Sequence, residues 1–293
     1  MAMVPYSLIG DAGSSASMDG RVEAGTVPFV PVRARPDVGA LTPIDAIIEH
    51  LGALLEPERF DDFGPNGLQV PGRDEVSTVA TGVSASAELF ERAQDAGADL
   101  VLVHHGLFWR GPPRPLDRAA KRRLEILFDA DMGLAAYHLP LDGHLEHGNN
   151  ALLAGALGCE SWEPFAAHGP ATIGVAGRLP GDGVAAQELV ARVHQVTGRE
   201  PLAFCDGPAQ IRSIGLVSGA GADHLEDAIA AGLDAFLTGE PAERVMTRAR
   251  EAGVHFLAAG HYATETFGVR RLGDLLAERF GVRHVFIDVP NPI

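Results

Sequence analysis

At 293 residues and 46% hydrophobic content, the chain exceeds one average domain and has ample material for a packed core. Its formal charge of −16 argues against a general nucleic-acid binder, whose affinity comes from neutralising phosphates. No apolar stretch approaches the roughly 20 residues a membrane helix needs. Two cysteines, Cys159 and Cys205, are too few for a disulfide framework, and no basic-then-apolar leader opens the chain. Together these predict a cytoplasmic protein.

Residues 1–41 are rich in Gly, Ser, Ala, Pro and Val without periodicity, and read as a flexible N-terminal extension. Thr42 followed by Pro43 reads as a helix start, with Ile44, Ile47, Ile48, Leu51, Leu54 and Leu55 at helical spacing up to Pro57. Strands are then expected at 76–83, 99–103 and 133–137, and helices at 86–96, 117–130 and 149–157, the last closed by Gly158. A second series follows, with strands at 172–177, 211–218, 235–238, 255–259 and 283–288. Between them lie helices at 184–197, 223–231, 241–252 and 265–279. Such alternation predicts an α/β protein with helices flanking mixed sheets.

The stretch from Asp95 to His105 lines up with Ala230 to Glu240 at an offset of 135 residues, placing Gly97 on Gly232, Asp99 on Asp234 and His105 on Glu240. This echo predicts two related lobes, approximately 42–165 and 166–293 within a core of 42–293, with a ligand site in the cleft between them.

Three strand exits carry metal-type ligands. His104 and His105 follow the apolar run Val101–Val103, where side-chain alternation forbids both rings from sharing one apolar layer. His138 and Asp142 follow the second run, four apart but separated by Pro140, and so are expected on a loop. His261 and Glu265 follow Gly260, where a helix beginning would put both on one face. Each has an ordinary alternative: a surface or cap histidine pair, a turn aspartate, an exposed His–Glu pair. All must hold together for the site to vanish. Three imidazoles with two carboxylates suit Zn, Mn, Fe, Co or Ni better than Ca or Mg. Five ligands exceed what one catalytic zinc takes from a protein, whereas two ions roughly 3.5–4 Å apart would use them all. Six basic positions between Arg110 and Arg123 read as a solvated helix face, or as a cationic rim for an anionic substrate or partner subunit.

The motifs, in order, are Asp62-Phe-Gly-Pro-Asn66-Gly-Leu-Gln69-Val, Val101-Leu-Val-His104-His105-Gly, His138-Leu-Pro-Leu-Asp142, Gly148-Asn149-Asn150, Thr238-Gly-Glu240, Gly260-His261-Tyr-Ala-Thr-Glu265 and Asp288-Val-Pro-Asn-Pro292. In combination the chain resembles the GTP cyclohydrolase 1 type 2 homologues, also called Nif-three-like proteins, and is most similar to the short bacterial members. The resemblance implies that His104, His105, Asp142, His261 and Glu265 bind two divalent ions per subunit, with Glu265 bridging. It implies that His138 stands behind the ligands and transfers protons. It also implies a homohexameric ring with the metal sites facing an inner cavity. Tyr262 and Ser84 depart from what many relatives carry, which bears on substrate contacts rather than on metal. His50, His144, His147, His168, His194, His224, His255 and His284 are read as structural or surface, with His144 the foremost exception.

Two ions sharing a water would generate hydroxide near neutral pH. The resemblance directs that hydroxide at the imidazole carbon of a guanine nucleotide, opening the ring and releasing formate. No phosphate-binding loop or dinucleotide fingerprint accompanies it. The expectation is therefore a metal-dependent hydrolase, with a non-enzymatic metal-delivery or scaffold protein as the alternative.

Overall fold

The structure, a computed structural model, describes residues 39–111 and 115–293. The expected extension falls, through residue 38, outside the described residues. Its composition carries too little apolar periodicity to bury. Deleting residues 1–38 is therefore expected to leave melting temperature and assembly mass unchanged. A drop of many degrees in a thermal melt would show that it packs on the core. The cut belongs there, because Ala40 N already donates to Gly281 O at 2.9 Å.

The first elements are β1 (Thr42–Pro43), α1 (Ile44–Leu55), β2 (Gly67–Val70), β3 (Glu75–Val76), β4 (Thr78–Ser84), α2 (Ala87–Asp95), β5 (Leu100–His105), α3 (Arg118–Asp129) and β6 (Gly133–Ala136). Then come α4 (Leu139–Gly143), α5 (Asn149–Ala156), β7 (Ser161–His168), β8 (Ala171–Arg178), α6 (Ala186–Thr197), β9 (Leu202–Phe204) and β10 (Ser213–Val217). The chain closes with α7 (Leu225–Ala230), β11 (Ala235–Thr238), α8 (Val245–Ala252), β12 (His255–Ala258), α9 (His261–Thr264), α10 (Thr266–Phe280) and β13 (Arg283–Phe286). The α/β class is as expected.

Two mixed sheets organise these elements. One runs β13-β4-β5-β6-β2, parallel except for the antiparallel edge strand β2. The other runs β7-β8-β10-β11-β12-β9, with β10, β11 and β12 parallel and the flanking strands antiparallel. β13, from the far end of the chain, completes the first sheet. Central strands read as unbroken apolar runs because both of their faces are covered. Val79, Leu100 and Leu102 pack against Ile47 and Leu51 of α1 and Leu272 of α10. The alternate residues Ala80, Val101 and Val103 pack against Phe90 of α2 and Leu127 of α3.

The 135-residue echo has a structural counterpart. Thr78 and Ser213 open β4 and β10, and Leu100 and Ala235 open β5 and β11. Asp99 Oδ2 accepts from Ser77 N, Ser77 Oγ and Thr78 N at 2.8, 2.7 and 3.1 Å. Asp234 Oδ2 accepts from Arg212 N, Ser213 N and Ser213 Oγ at 2.8, 3.0 and 3.1 Å. Gly97 and Gly232 take the same left-handed turn, with φ of 71° and 65°. One β–α–β corner has been built twice.

Several local expectations need correction. Thr42 does not cap α1: it pairs with Val76 in a short antiparallel ladder, and the first helical donor, Ile44 N, finds Asp74 O at 2.8 Å instead. Asp142 is not on a loop. Pro140 sits in the first turn of α4, where its missing N–H costs nothing, so Asp142 is helical. β5 runs two residues past its expected end and takes in both histidines. Strands β2, β7 and β9 went unforeseen. β7 lies at a sheet edge, and its mostly exposed pattern, interrupted by Pro164, carries no period-two signal. Among the described residues no helix is long and apolar enough to cross a membrane.

Candidate metal centre

The ends of parallel strands deliver every chemistry-bearing group. β5 ends on His104 and His105; β6 runs out through Tyr137 to His138 and then α4. In the other sheet β12 turns at Gly260, with φ of 97°, into His261 and α9, and Glu265 stands at the junction with α10. His138 and Asp142 thus bear the same relation to β6 that His261 and Glu265 bear to β12. The carboxyl ends of parallel strands are where open α/β sheets bind ligands.

Glu265 is the hub. Its Oε1 lies 3.1 Å from His261 Nε2 and 3.5 Å from His104 Nε2, and its Oε2 lies 3.3 Å from His105 Nε2. Asp142 Oδ2 is 3.4 Å from His104 Nε2. Three overlapping groups each bring one ligand atom per residue within 4.8 Å: His104 with Asp142 and Glu265, His105 with His261 and Glu265, and His104 with His105 and His138. The structure therefore gathers all six residues singled out in the sequence, His138 among them.

Each ring is held by its outer nitrogen. His104 Nδ1 donates to Tyr137 O at 3.0 Å, His138 Nδ1 to Asp62 Oδ1 at 2.7 Å and His261 Nδ1 to Glu240 Oε1 at 2.5 Å; His105 Nδ1 lies 3.0 Å from Ser84 Oγ. With Nδ1 donating outward, Nε2 is the nitrogen that faces inward, the arrangement that metal-binding histidines adopt. Asp142 is fixed likewise, its Oδ1 accepting from Asn149 Nδ2 at 2.8 Å and Ser218 Oγ at 2.9 Å. Gly219 backs the hub so closely that a Cβ there would lie 2.3 Å from Glu265 Oε1.

The fit to a cation rests on what is left over. Among the described residues, His104 Nε2 and Glu265 Oε2 are buried without any hydrogen-bond partner. An orphaned buried polar atom costs about 1–3 kcal/mol, and native structures keep few. Here one ring nitrogen and one carboxylate oxygen turn into the same small space, and the imidazole–carboxylate donor set suits borderline divalent ions.

Charge in the cluster is arranged to match. Burial works against a charged His104, yet the Asp142 and Glu265 carboxylates outweigh it and hold the ring up to about 9. Burial likewise opposes charge on His261, but Glu265 and Glu240 raise it to about 9. Burial drives His105 down to about 3, with the three neighbouring imidazoles adding to the effect against the pull of Glu265. Burial lifts Asp142 above the ordinary range. Glu265 goes the other way: burial would raise it, but His104, His261 and His105 hold it well below the carboxylate norm. A protonated His104 and His261 occupy, electrostatically, the place of a dication.

Sequence reasoning missed the supports. Asp62, Ser84, Glu240, Asn149 and Ser218 position the inner groups, and neither periodicity nor ligand chemistry marks them. Asp62, Asn149 and Glu240 did lie inside the motifs quoted for the family resemblance, which was the available signal. Ser84, noted as a departure, orients His105. Tyr262 donates its hydroxyl to Asp288 at 2.5 Å and stays outside the cluster. His144 stacks on His147 with centroids 5.1 Å apart, and its Nδ1 accepts from the Glu146 and His147 amides. Three of the basic positions pair on the surface: Lys121 with Glu125 at 3.0 Å, Arg122 with Glu91 at 2.8 Å, and Arg110 with Asp61.

Imidazoles and buried carboxylates converging at parallel strand ends define an α/β protein with a site able to hold metal ions. Residues 42–292 match the family model for Duf34/NIF3 (NGG1p interacting factor 3). The chain belongs to the Duf34/NIF3 family. It is 44% identical over 249 residues to the GTP cyclohydrolase 1 type 2 homolog of Pseudomonas aeruginosa, covering 85% of this chain and 98% of that one. To the protein of the same name in Escherichia coli K12 it is 42% identical over 243 residues, covering 81% and 94%. Among solved structures it is similar to a protein of Thermus thermophilus, at 39% identity and a TM-score of 0.79, covering 86% of this chain and all of that one (100%). It is also similar to the protein ybgI, at 37% identity and a TM-score of 0.81, with 86% and 100% coverage.

Proposed function

We propose that the chain is a dinuclear metal-dependent hydrolase that opens a nitrogen-containing ring, working as a homohexamer. The observation that carries this reading is the pair of orphaned atoms, His104 Nε2 and Glu265 Oε2, inside a ring of imidazoles and carboxylates. His104, Asp142 and Glu265 would hold one ion and His105, His261 and Glu265 the other, which makes Glu265 the shared ligand. When bound, such ions supply Lewis acidity and a water acidified enough to act as a nucleophile near neutral pH. His138 is the chain's own proton carrier in this scheme. Asp62 holds its Nδ1, so its Nε2 is free to take a proton from the nucleophile and return it to the departing nitrogen. The direction of the reaction class follows the relatives, which are named for a GTP cyclohydrolase.

Metal analysis of freshly purified protein, followed by a screen of nucleotides and cyclic amides with that metal restored, tests the reading. Two ions per chain with turnover of at least one ring substrate is the expected result. A ceiling of one ion under any metal supply would sink the dinuclear assignment. Two readily exchanged ions with no turnover would turn the reading to metal delivery. Light scattering is expected to give six chains per particle, and a monomer mass at micromolar concentration would end that part of the proposal.

Metal uptake should release protons. His104 and His261, held up to about 9, carry protons at neutral pH, and each must lose one before its Nε2 can bind an ion. Metal affinity should therefore climb as pH rises towards about 9 and flatten above it. Calorimetry at pH 7 in buffers of different ionisation enthalpy is expected to report about two protons released per chain. Affinity independent of pH between 7 and 9 would contradict the protonated cluster.

A further inference from the structure

Phe63 and Trp109 are large aromatic side chains that stand 53% and 48% exposed although both lie on well-tied loops. Both line the cavity of about 380 Å³ that opens onto the metal ligands. Trp109 meets the His138 ring edge-on, at 5.3 Å between centroids and 84°, and lies 5.9 Å from His105. Phe63 reaches His138 from its own loop at 6.0 Å. The cavity floor is thus catalytic-type chemistry, and its mouth carries two flat apolar rings.

Hydrogen bonds tie together the backbone of the two loops that carry these rings. Arg110 N donates to Phe63 O at 2.6 Å, which joins the two loops directly. Gln69 Oε1 accepts from Leu107 N at 2.8 Å, while Gln69 Nε2 donates to Pro65 O at 2.8 Å, so one side chain clips both loops. Close approach is possible because glycines stand at the crossings. A Cβ on Gly64 would lie 2.6 Å from Phe108 O, and one on Gly106 would lie 2.3 Å from the Gln69 amide. Asp62 anchors the near end, accepting from Phe63 N at 2.6 Å while it also holds His138. The two polar ends of the segment 62–69 therefore serve two tasks: Asp62 and Asn66 fix His138, and Gln69 fixes the loop of Trp109.

Half-exposed aromatics on hydrogen-bonded loops beside a cluster of imidazoles and carboxylates are the parts from which stacking platforms are made, because every heteroaromatic ring offers a π-face. A cavity of about 380 Å³ lies in the range of small-molecule sites and takes a bicyclic ring. We propose that Phe63 and Trp109 form an aromatic clamp that grips the planar heteroaromatic ring of the substrate over the metal centre. This rests on the hydrolase reading and adds to it the residues that bind the ring.

The test uses metal-loaded full-length protein with guanosine 5′-monophosphate as the aromatic probe and ribose 5-phosphate as its ring-less control. The chain has two tryptophans, so Trp162→Phe leaves Trp109 as the sole indole reporter. Saturable quenching by the nucleotide, and none by the sugar phosphate, is expected. Phe63→Leu and Trp109→Leu, made in the unaltered background and followed by equilibrium dialysis, are each expected to weaken nucleotide binding about 10-fold. Metal content and particle mass are measured on the same samples and should not change. Equal binding of the two probes, unquenched Trp109, or wild-type affinity in Phe63→Leu would overturn the clamp while bound ions left the metal reading intact. Quenching by the nucleotide in wild-type protein that takes up no ion under any metal supply would support the clamp and remove the hydrolase reading.

Discussion

Glu265→Gln is expected to lose more metal than any other single replacement in the cluster. The carboxylate faces three imidazole nitrogens between 3.1 and 3.5 Å away and is the residue common to two of the three ligand groups. An amide keeps the shape but carries no charge, so on the proposed dinuclear arrangement two cation positions would lose their shared anion together. Breaking a buried ionic network in this way costs roughly 3–5 kcal/mol, a weakening of more than about 100-fold. His138→Ala should do less. If that ring positions or carries protons rather than joining both ions, its loss weakens binding roughly 10–100-fold. Chelator titrations of the two variants side by side decide the order. Near-full occupancy in Glu265→Gln, at a chelator concentration that strips His138→Ala, would reverse the assignment of roles.

Asp62→Ala should be the most damaging change among residues that touch no ion. The buried carboxylate accepts from Phe63 N, Asn66 Nδ2, His138 Nδ1 and Leu139 N at 2.6, 2.8, 2.7 and 2.9 Å. Its removal leaves a buried Leu139 amide without that partner and frees the His138 ring, at an expected cost of roughly 3 kcal/mol in unfolding free energy. The pH dependence has a definite sign. Burial alone would raise the Asp62 carboxyl, but the bonds from His138, Asn66 and Phe63 bring it below its ordinary value. A depressed folded value means that the contribution is fully present above about pH 4, the unfolded range, and is lost as pH falls through the folded value. Urea unfolding at pH 7 and pH 5 should therefore show the same gap between wild type and variant, narrowing only in stronger acid. A gap below about 1 kcal/mol at pH 7 would show that solvent replaces the carboxylate easily.

The sequence by itself determined the layered α/β class and which imidazoles and carboxylates gather at the strand ends. Both are local signals. An apolar run with both faces buried announces a central strand, and a polar group at the end of such a run, as at His104, His138 and His261, has no packing reason to be there. The β–α–β repeat was legible for the same reason, since Asp99 and Asp234 sit at matching places in matching patterns. What only the tertiary structure decided is which groups stand behind the ligands. His138 finds Asp62 across 76 residues, and Ser218 finds Asp142 across 76 more. His105 and His261 each find a partner 21 residues away only because β5 lies beside β4 and β12 beside β11. Strand order also sets the platform, where Gln69 of edge strand β2 reaches the loop after β5. Periodicity is a property of one segment and can be read along it. Convergence depends on how segments are ordered and registered in a sheet, and burial of the whole core, rather than any one stretch, selects that order.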